Sequence, residues 1–180
     1  MKNLNKSSKT ALGGIVAAVS TVLMFLTSVI PTLTYAIPAA AGLLLLIMVI
    51  EIDKKWATVV YIAVSILSIL LVADKEAAVM YTAFFGYYPI IKQPLEKTLK
   101  PIICWIVKLV IFNFAVISSY LLLIYVFNLS MDDFGDFTKV TLTLVYLAFN
   151  VVFVIYDMAL SKMTDAYLSR WQKHFRKIFK

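Results

Sequence analysis

The 180-residue chain contains a single cysteine, Cys104, and a single histidine, His174. A disulfide needs two cysteines, and the usual zinc sites need three or four Cys and His ligands. We therefore expect no disulfide, no bound metal and no Cys–His nucleophilic pair. A glycine-rich phosphate loop and a Gly-x-Ser-x-Gly nucleophile pattern are also missing, so the sequence favours a protein that is not an enzyme and has no cofactor.

Charge is also scarce, since charged residues make up 15% of the chain and hydrophobic residues 62%, with a mean hydropathy of +0.91. A helix that crosses a bilayer needs about 20 mostly apolar residues. The composition thus predicts an all-α polytopic membrane protein, with six transmembrane helices in residues 1–162 and a cytoplasmic tail over 163–180. The six apolar runs cover residues 10–30, 32–50, 56–73, 77–91, 102–128 and 139–161.

Two of the six runs contain residues that disturb a helix. Pro38 lies inside the second run, and Gly86 and Pro89 interrupt the fourth near its end. Proline removes a backbone donor and clashes with the preceding turn. The second and fourth runs are therefore the two in which a bent or broken helix is expected, if one occurs.

The lysines and arginines are distributed unevenly between the apolar runs. Fourteen of the seventeen fall in the N-terminal arm, the second gap, the fourth gap or the segment after the last run. Cytoplasmic loops are enriched in these residues, so both termini are predicted to be cytoplasmic. The fourteen are Lys2, Lys6, Lys9, Lys54, Lys55, Lys92, Lys97, Lys100, Lys162, Arg170, Lys173, Arg176, Lys177 and Lys180.

The net charge of +7 would suggest a nucleic-acid partner in a soluble protein. Here the positive-inside bias and attraction to anionic lipid explain it, so membrane lipid is the expected partner and nucleic acid is not. The fifteen lysines against two arginines indicate a low-GC genome. We therefore expect a multi-pass protein of a bacterial plasma membrane.

Four polar residues lie within the last two apolar runs: Lys108, Asn113, Asn150 and Asp157. Asn113 and Asn150 are each about 16 Å from the cytoplasmic ends of their helices, and Lys108 and Asp157 lie about 6 to 9 Å from those ends. The equal depths predict an amide pair and an ion pair across an antiparallel hairpin. Since Lys108 and Asn113 are about 140° apart, one of them is expected to face another helix. Structural bonding and contact with a ligand or ion both remain open.

The C-terminal tail alternates apolar and basic residues at helical spacing, which is typical of an amphipathic helix on a membrane surface. Contact with the inner leaflet is the expected role, and docking of another protein is the alternative. The residues assigned to this contact are Arg170, Trp171, Lys173, Arg176 and Lys177.

The first helix contains two pairs of small residues four apart, Gly13 with Ala17 and Gly14 with Ala18. Small residues at this spacing let helices approach closely. The pairs are interpreted either as packing within the bundle or as docking against a separate membrane protein. The fourth run is rich in aromatic rings, and Tyr81 is its best candidate for contact with a ligand.

The length, the six helices, the cytoplasmic termini and the four small residues together resemble the substrate-binding S component of energy-coupling-factor vitamin transporters. The resemblance implies that Gly13, Gly14, Ala17 and Ala18 dock on a transmembrane coupling subunit driven by cytoplasmic ATPases. It also implies a site near the outer face for a vitamin-like solute. That site is assigned to Tyr35, Tyr81 and Asn150. Loop one, residues 31–38, departs from the family because it is short and almost without polar anchors.

A second interpretation is a nonenzymatic scaffold or regulator, similar in size to the MreD-type proteins of cell-wall elongation. It would act through the first helix and the basic tail. A channel or ion-coupled carrier is the least favoured class, because four polar residues on two helices do not form a continuous polar path.

Overall fold

The computed structural model describes residues 5–128 and 139–172, except for the side chains of residues 139–142 and 171. Within these ranges the chain is 88% helical and has no strand, which confirms the all-α prediction. In the described residues the α-helices are α1 Lys6–Thr27, α2 Ala36–Glu51, α3 Lys54–Leu71, α4 Lys75–Met80, α5 Tyr88–Thr98, α6 Pro101–Tyr125 and α7 Lys139–Ala166. A short 3-10 turn, Pro31–Leu33, precedes α2, and π-helical turns cover Tyr81–Phe85 and Tyr167–Trp171.

Four of the helices are long and apolar enough to cross a membrane. They are α1, α3, α6 and a segment of the last helix that runs from Thr143 to Arg170. Their outward faces are apolar, and Leu70, Ile102 and Phe114 are largely exposed. An apolar surface of this extent is typical of contact with lipid rather than water. These helices fit a membrane protein, with four candidate spans among the described residues.

Helix α2 is the short central helix of the bundle, and it packs against α1, α3, α5 and α7. It begins at Ala36, four residues after the start of the second apolar run, and the 3-10 turn precedes it. Pro38 lies in its first turn, where no intrahelical bond to the proline nitrogen is required. Ala41, Leu45 and Met48 are fully buried, as expected for a helix that has protein on most sides.

The fourth apolar run is broken, as Gly86 and Pro89 predicted. Helix α4 ends at Met80, and the π-helical turn that follows is closed by the Gly86 N–H, which donates to the Tyr81 carbonyl at 2.8 Å. Helix α5 then continues to Thr98, seven residues beyond the predicted end of the run. A Cβ atom at Gly86 would lie 2.5 Å from the Tyr61 ring, so the close approach of α3 requires glycine here.

An aromatic core joins the π-helical turn to α5, α6 and α7. The rings of Phe112 and Phe153 stack with centroids 4.7 Å apart, and Phe84 stacks on Tyr88 at the same distance. Such pairs contribute about 0.5–1.5 kcal/mol each beyond the burial of their area. The core fixes the relative position of the three helices that carry the polar groups described below.

Candidate functional site

Four charged side chains from α5, α6 and α7 converge at one end of the bundle. Asp157 of α7 accepts from Lys92 Nζ at 2.6 Å through Oδ1, and from Lys108 Nζ at 3.0 Å through Oδ2. Glu96 Oε1 lies 2.6 Å from both lysine nitrogens. We call Lys92, Glu96, Lys108 and Asp157 the charge cluster. It ties three helices together through one continuous set of charge-assisted hydrogen bonds.

Burial separates Glu96 from the other three members of the charge cluster. The side chains of Lys92, Lys108 and Asp157 are 6%, 4% and 4% exposed, whereas that of Glu96 is 41% exposed. The two ammonium groups and the two carboxylates of the cluster give it a formal net charge of zero. The Tyr88 hydroxyl also donates to Asp157 Oδ1 at 2.6 Å. A buried charge without such partners would be strongly destabilising, so the buried members depend on one another.

Two cavities flank the charge cluster. The larger, of about 410 Å³, lies between α6 and α7 and is lined by Lys108, Asp157 and Trp105. The smaller, of about 130 Å³, lies beside α2 and is lined by Lys92 and Gln93. Glu96 lines both. A ligand in either cavity would therefore meet an ammonium group, which recognises anionic groups, and the Glu96 carboxylate.

A second polar contact joins α6 to α7 further along the two helices. Asn113 Nδ2 donates to Asn150 Oδ1 at 3.0 Å, and Asn150 Nδ2 donates back at 3.3 Å. Both amides also donate to carbonyls of their own helices, at Leu109 and Tyr146. Lys108 contacts both α7 and α5, because its long side chain reaches Asp157 on the first helix and Glu96 on the second. The amide pair is thus satisfied by protein groups, an arrangement that suits structural bonding.

The three residues assigned to a solute lie in different surroundings. The Tyr35 hydroxyl donates to the Glu76 carboxylate, and its ring meets Phe149 edge-on. Tyr81 is fully buried beside Tyr61, and its hydroxyl has no hydrogen-bond partner among the described residues. The amide of Asn150 is occupied as described above. No hydrogen bond or ring contact between described residues links these three side chains into one site.

Loop one is held to the start of α4 by polar contacts that the sequence interpretation missed. Thr34 Oγ1 donates to Asp74 Oδ2 at 3.0 Å, in addition to the contact between Tyr35 and Glu76. Burial, and then the neighbouring Glu76, raise the pKa of the Tyr35 hydroxyl well above its ordinary value, so it remains a donor. The prediction that loop one is almost without polar anchors was wrong. Its partners lie forty residues away in sequence, where pattern reading gives no signal.

The two pairs of small residues on α1 lie on different faces. Gly13 is buried, and a Cβ atom there would lie 3.4 Å from Val60 and 3.5 Å from Met48. Ala17 is half-buried on the same side. Gly14 and Ala18 are exposed, and a Cβ atom at Gly14 would meet nothing within 4 Å. Packing within the bundle thus accounts for Gly13 and Ala17, and leaves Gly14 and Ala18 unpartnered in the isolated chain.

The residues assigned to the inner leaflet are described only in part. Helix α7 continues past residue 162 into the π-helical turn, where the Arg170 side chain is exposed. The side chain of Trp171, and all of Lys173, Arg176 and Lys177, lie outside the described residues. Their contact with lipid stays a prediction.

Lys92, Glu96 and Tyr88 are the site residues that sequence reasoning missed. Lys92 was counted with the lysines of the fourth gap, but it is buried within α5, so its placement in a loop was wrong. Tyr88, Lys92 and Glu96 are spaced four apart, which puts them on one helix face. That spacing is a usable signal once the helix is known to extend beyond residue 91.

Comparison with family models, curated proteins and solved structures gives no match. Within residues 5–128 and 139–172, no three His, Cys, Asp or Glu side chains are grouped so that they could hold a metal ion.

Proposed function

We propose that the chain crosses the plasma membrane of a bacterium six times, with both termini in the cytoplasm. Helix α2 supplies one of the two further crossings, and its apolar surface is covered by neighbouring helices. The segment from Lys75 to Thr98 supplies the other, since its 24 residues span about 36 Å. Irregular backbone at membrane depth is tolerated where protein surrounds it, and Tyr81, Phe84 and Phe85 are buried. When buried Lys92 is left out, thirteen of the seventeen Lys and Arg residues still lie in the segments that this proposal places at the cytoplasmic side.

We propose further that the protein is the solute-binding subunit of a multisubunit importer for a vitamin-like small molecule, energised by partner ATPases. The observation that supports this most is the exposed face of α1 at Gly14 and Ala18. The bundle does not use this face, yet its small residues allow a second helix to approach closely. A transmembrane coupling subunit is the proposed occupant.

In this proposal the solute enters at the end of the bundle where loop one meets α4. Thr34 and Tyr35 bond there to Asp74 and Glu76, and the ring of Tyr35 contacts α7 through Phe149. A solute that reaches Tyr81 or Asn150 has to displace these contacts. Binding and opening of loop one are therefore coupled.

The scaffold interpretation is the second candidate function. The hydrogen bonds that hold loop one to the start of α4 favour it. Contacts that close the outer end suit a protein that carries no solute, and the Gly14 face would then bind a membrane protein of another machinery. The proteins recovered with this chain distinguish the two candidates.

The test is affinity purification of the tagged chain from its native membrane, with Gly14→Leu and Ala18→Leu beside the native sequence. Both variants should remain folded, because the new side chains point away from the bundle. We expect them to lose the coupling subunit and the ATPases. Val59→Leu, at an exposed position on α3, is the matched control and should retain them. Unchanged recovery in both α1 variants would refute docking through this face.

A further inference from the structure

Glu96 is a replaceable anion within the charge cluster. It is the only member with an exposed side chain, and its Oε1 bridges two ammonium groups that are themselves buried. Asp157 cannot leave in the same way, since it is buried and accepts from Tyr88, Lys92 and Lys108. If Glu96 turned outward, the lysines would keep one anionic partner and lack a second.

The larger cavity is where a replacement anion would be held. Lys108, Asp157 and Lys162 all line it. The Lys108 Nζ is 5.1 Å from the centroid of the Trp105 ring, which gives the ammonium an aromatic wall on one side. The group exchanged for the Glu96 carboxylate should carry a single negative charge, because that restores the balance of the cluster.

The surroundings of this cavity favour an amphiphile. Leu99, Pro101, Cys104 and Met158 form its apolar wall, and the neighbouring surface of α6 exposes Ile102, Ile103 and Ile106. Lys108 lies about 10 Å from the start of α6, and side chains on a helix lean toward its N-terminus. The ammonium is thus directed to the end of a membrane-spanning helix, where lipid headgroups lie.

We propose that the cavity between α6 and α7 binds a phosphate group, with Lys108 as the main contact and Glu96 as the internal anion that it displaces. A phosphodiester has one negative charge, which matches the carboxylate it replaces. The phosphodiester of an anionic lipid is the favoured source, because the apolar surface of α6 continues from the cavity and can accommodate acyl chains. The site is independent of the importer proposal and of the α1 face.

The test uses the fluorescence of Trp105, which lines the cavity. The full chain, with Trp56→Phe and Trp171→Phe, is reconstituted in phosphatidylcholine vesicles that contain increasing amounts of brominated phosphatidylglycerol. Bromine quenches a nearby indole, so the mole fraction that gives half-maximal quenching measures binding. We expect stronger quenching than with brominated phosphatidylcholine.

Variants of the two charged residues should change lipid binding in opposite directions, which makes the test specific for this site. Glu96→Gln should bind phosphatidylglycerol several-fold more tightly, since the competing carboxylate is gone. Asp165→Asn removes the same charge at the same end without touching the larger cavity, and should change binding by less than about twofold. Lys108→Gln should weaken binding about tenfold through loss of a charged hydrogen bond, while Lys97→Gln, on the exposed side of α5, should not.

Added inorganic phosphate distinguishes a phosphate group that belongs to lipid from one that belongs to a soluble molecule. If it fails to relieve the quenching, the phosphate belongs to lipid. If it does relieve the quenching, and the effect is stronger in Glu96→Gln, the cavity takes a soluble phosphate and only the choice of lipid is overturned. Equal binding of the two lipids with no effect of phosphate would overturn the proposal. Equal tightening by Glu96→Gln and Asp165→Asn would overturn it too.

Discussion

Asp157→Asn is the most informative perturbation of the charge cluster, because Asp157 is the group on which the buried members converge. Its carboxylate accepts from Lys92 and Tyr88 at 2.6 Å and from Lys108 at 3.0 Å. The amide keeps the shape but removes the charge, and it leaves two buried ammonium groups with Glu96 as their one anion. Breaking a buried ion pair by removing one partner costs about 3–5 kcal/mol.

We expect Asp157→Asn to lower the free energy of unfolding by about that amount, measured by denaturant titration of the chain in detergent micelles. Asp165→Asn, on the exposed side of α7, should change it by less than about 0.5 kcal/mol.

The single variants Lys108→Met and Asp157→Leu, together with the double variant that combines them, form a mutant cycle. The double variant removes both charges and keeps apolar volume, so its loss should be well below the sum of the two single losses. A loss below about 1 kcal/mol for Asp157→Asn, together with additive losses in the cycle, would refute the view that these groups stabilise one another.

Two further predictions concern packing and the amide pair, both measured by thermal unfolding in detergent. Gly42→Ala should destabilise severely, because its Cβ would lie 2.2 Å from the Phe85 carbonyl oxygen; Gly14→Ala, with nothing within 4 Å, is its control. A native-like unfolding temperature for Gly42→Ala would contradict the close approach of α2. Asn113→Leu should cost about 0.6–1.7 kcal/mol, and equal stability would show that the amide pair contributes nothing.

The sequence predicted the long helices well because each is a continuous apolar run. It also placed Asn113 opposite Asn150, and Lys108 opposite Asp157, since equal depth in an antiparallel hairpin depends only on the rise per residue. These contacts follow from local geometry and from the cost of a polar group in lipid.

The rest depended on tertiary contacts. The π-helical turn forms where Gly86 lets the Tyr61 ring approach, and no local pattern records that approach. Lys92 was counted as a loop cation because charge counting ignores whether a lysine has a buried partner, and that partner, Asp157, lies 65 residues away. The hydrogen bonds of Thr34 and Tyr35 to Asp74 and Glu76 were not predicted either, because these partners are also far apart in sequence.

The identity of what copurifies with the native chain tests the central claim most directly. The tagged protein is extracted gently from its own membrane, and mass spectrometry identifies both the retained proteins and the retained small molecules. The importer account predicts a transmembrane coupling subunit, cytoplasmic ATPases and a bound vitamin-like solute. Recovery of wall-synthesis or other membrane proteins, with neither ATPases nor a solute, would contradict it.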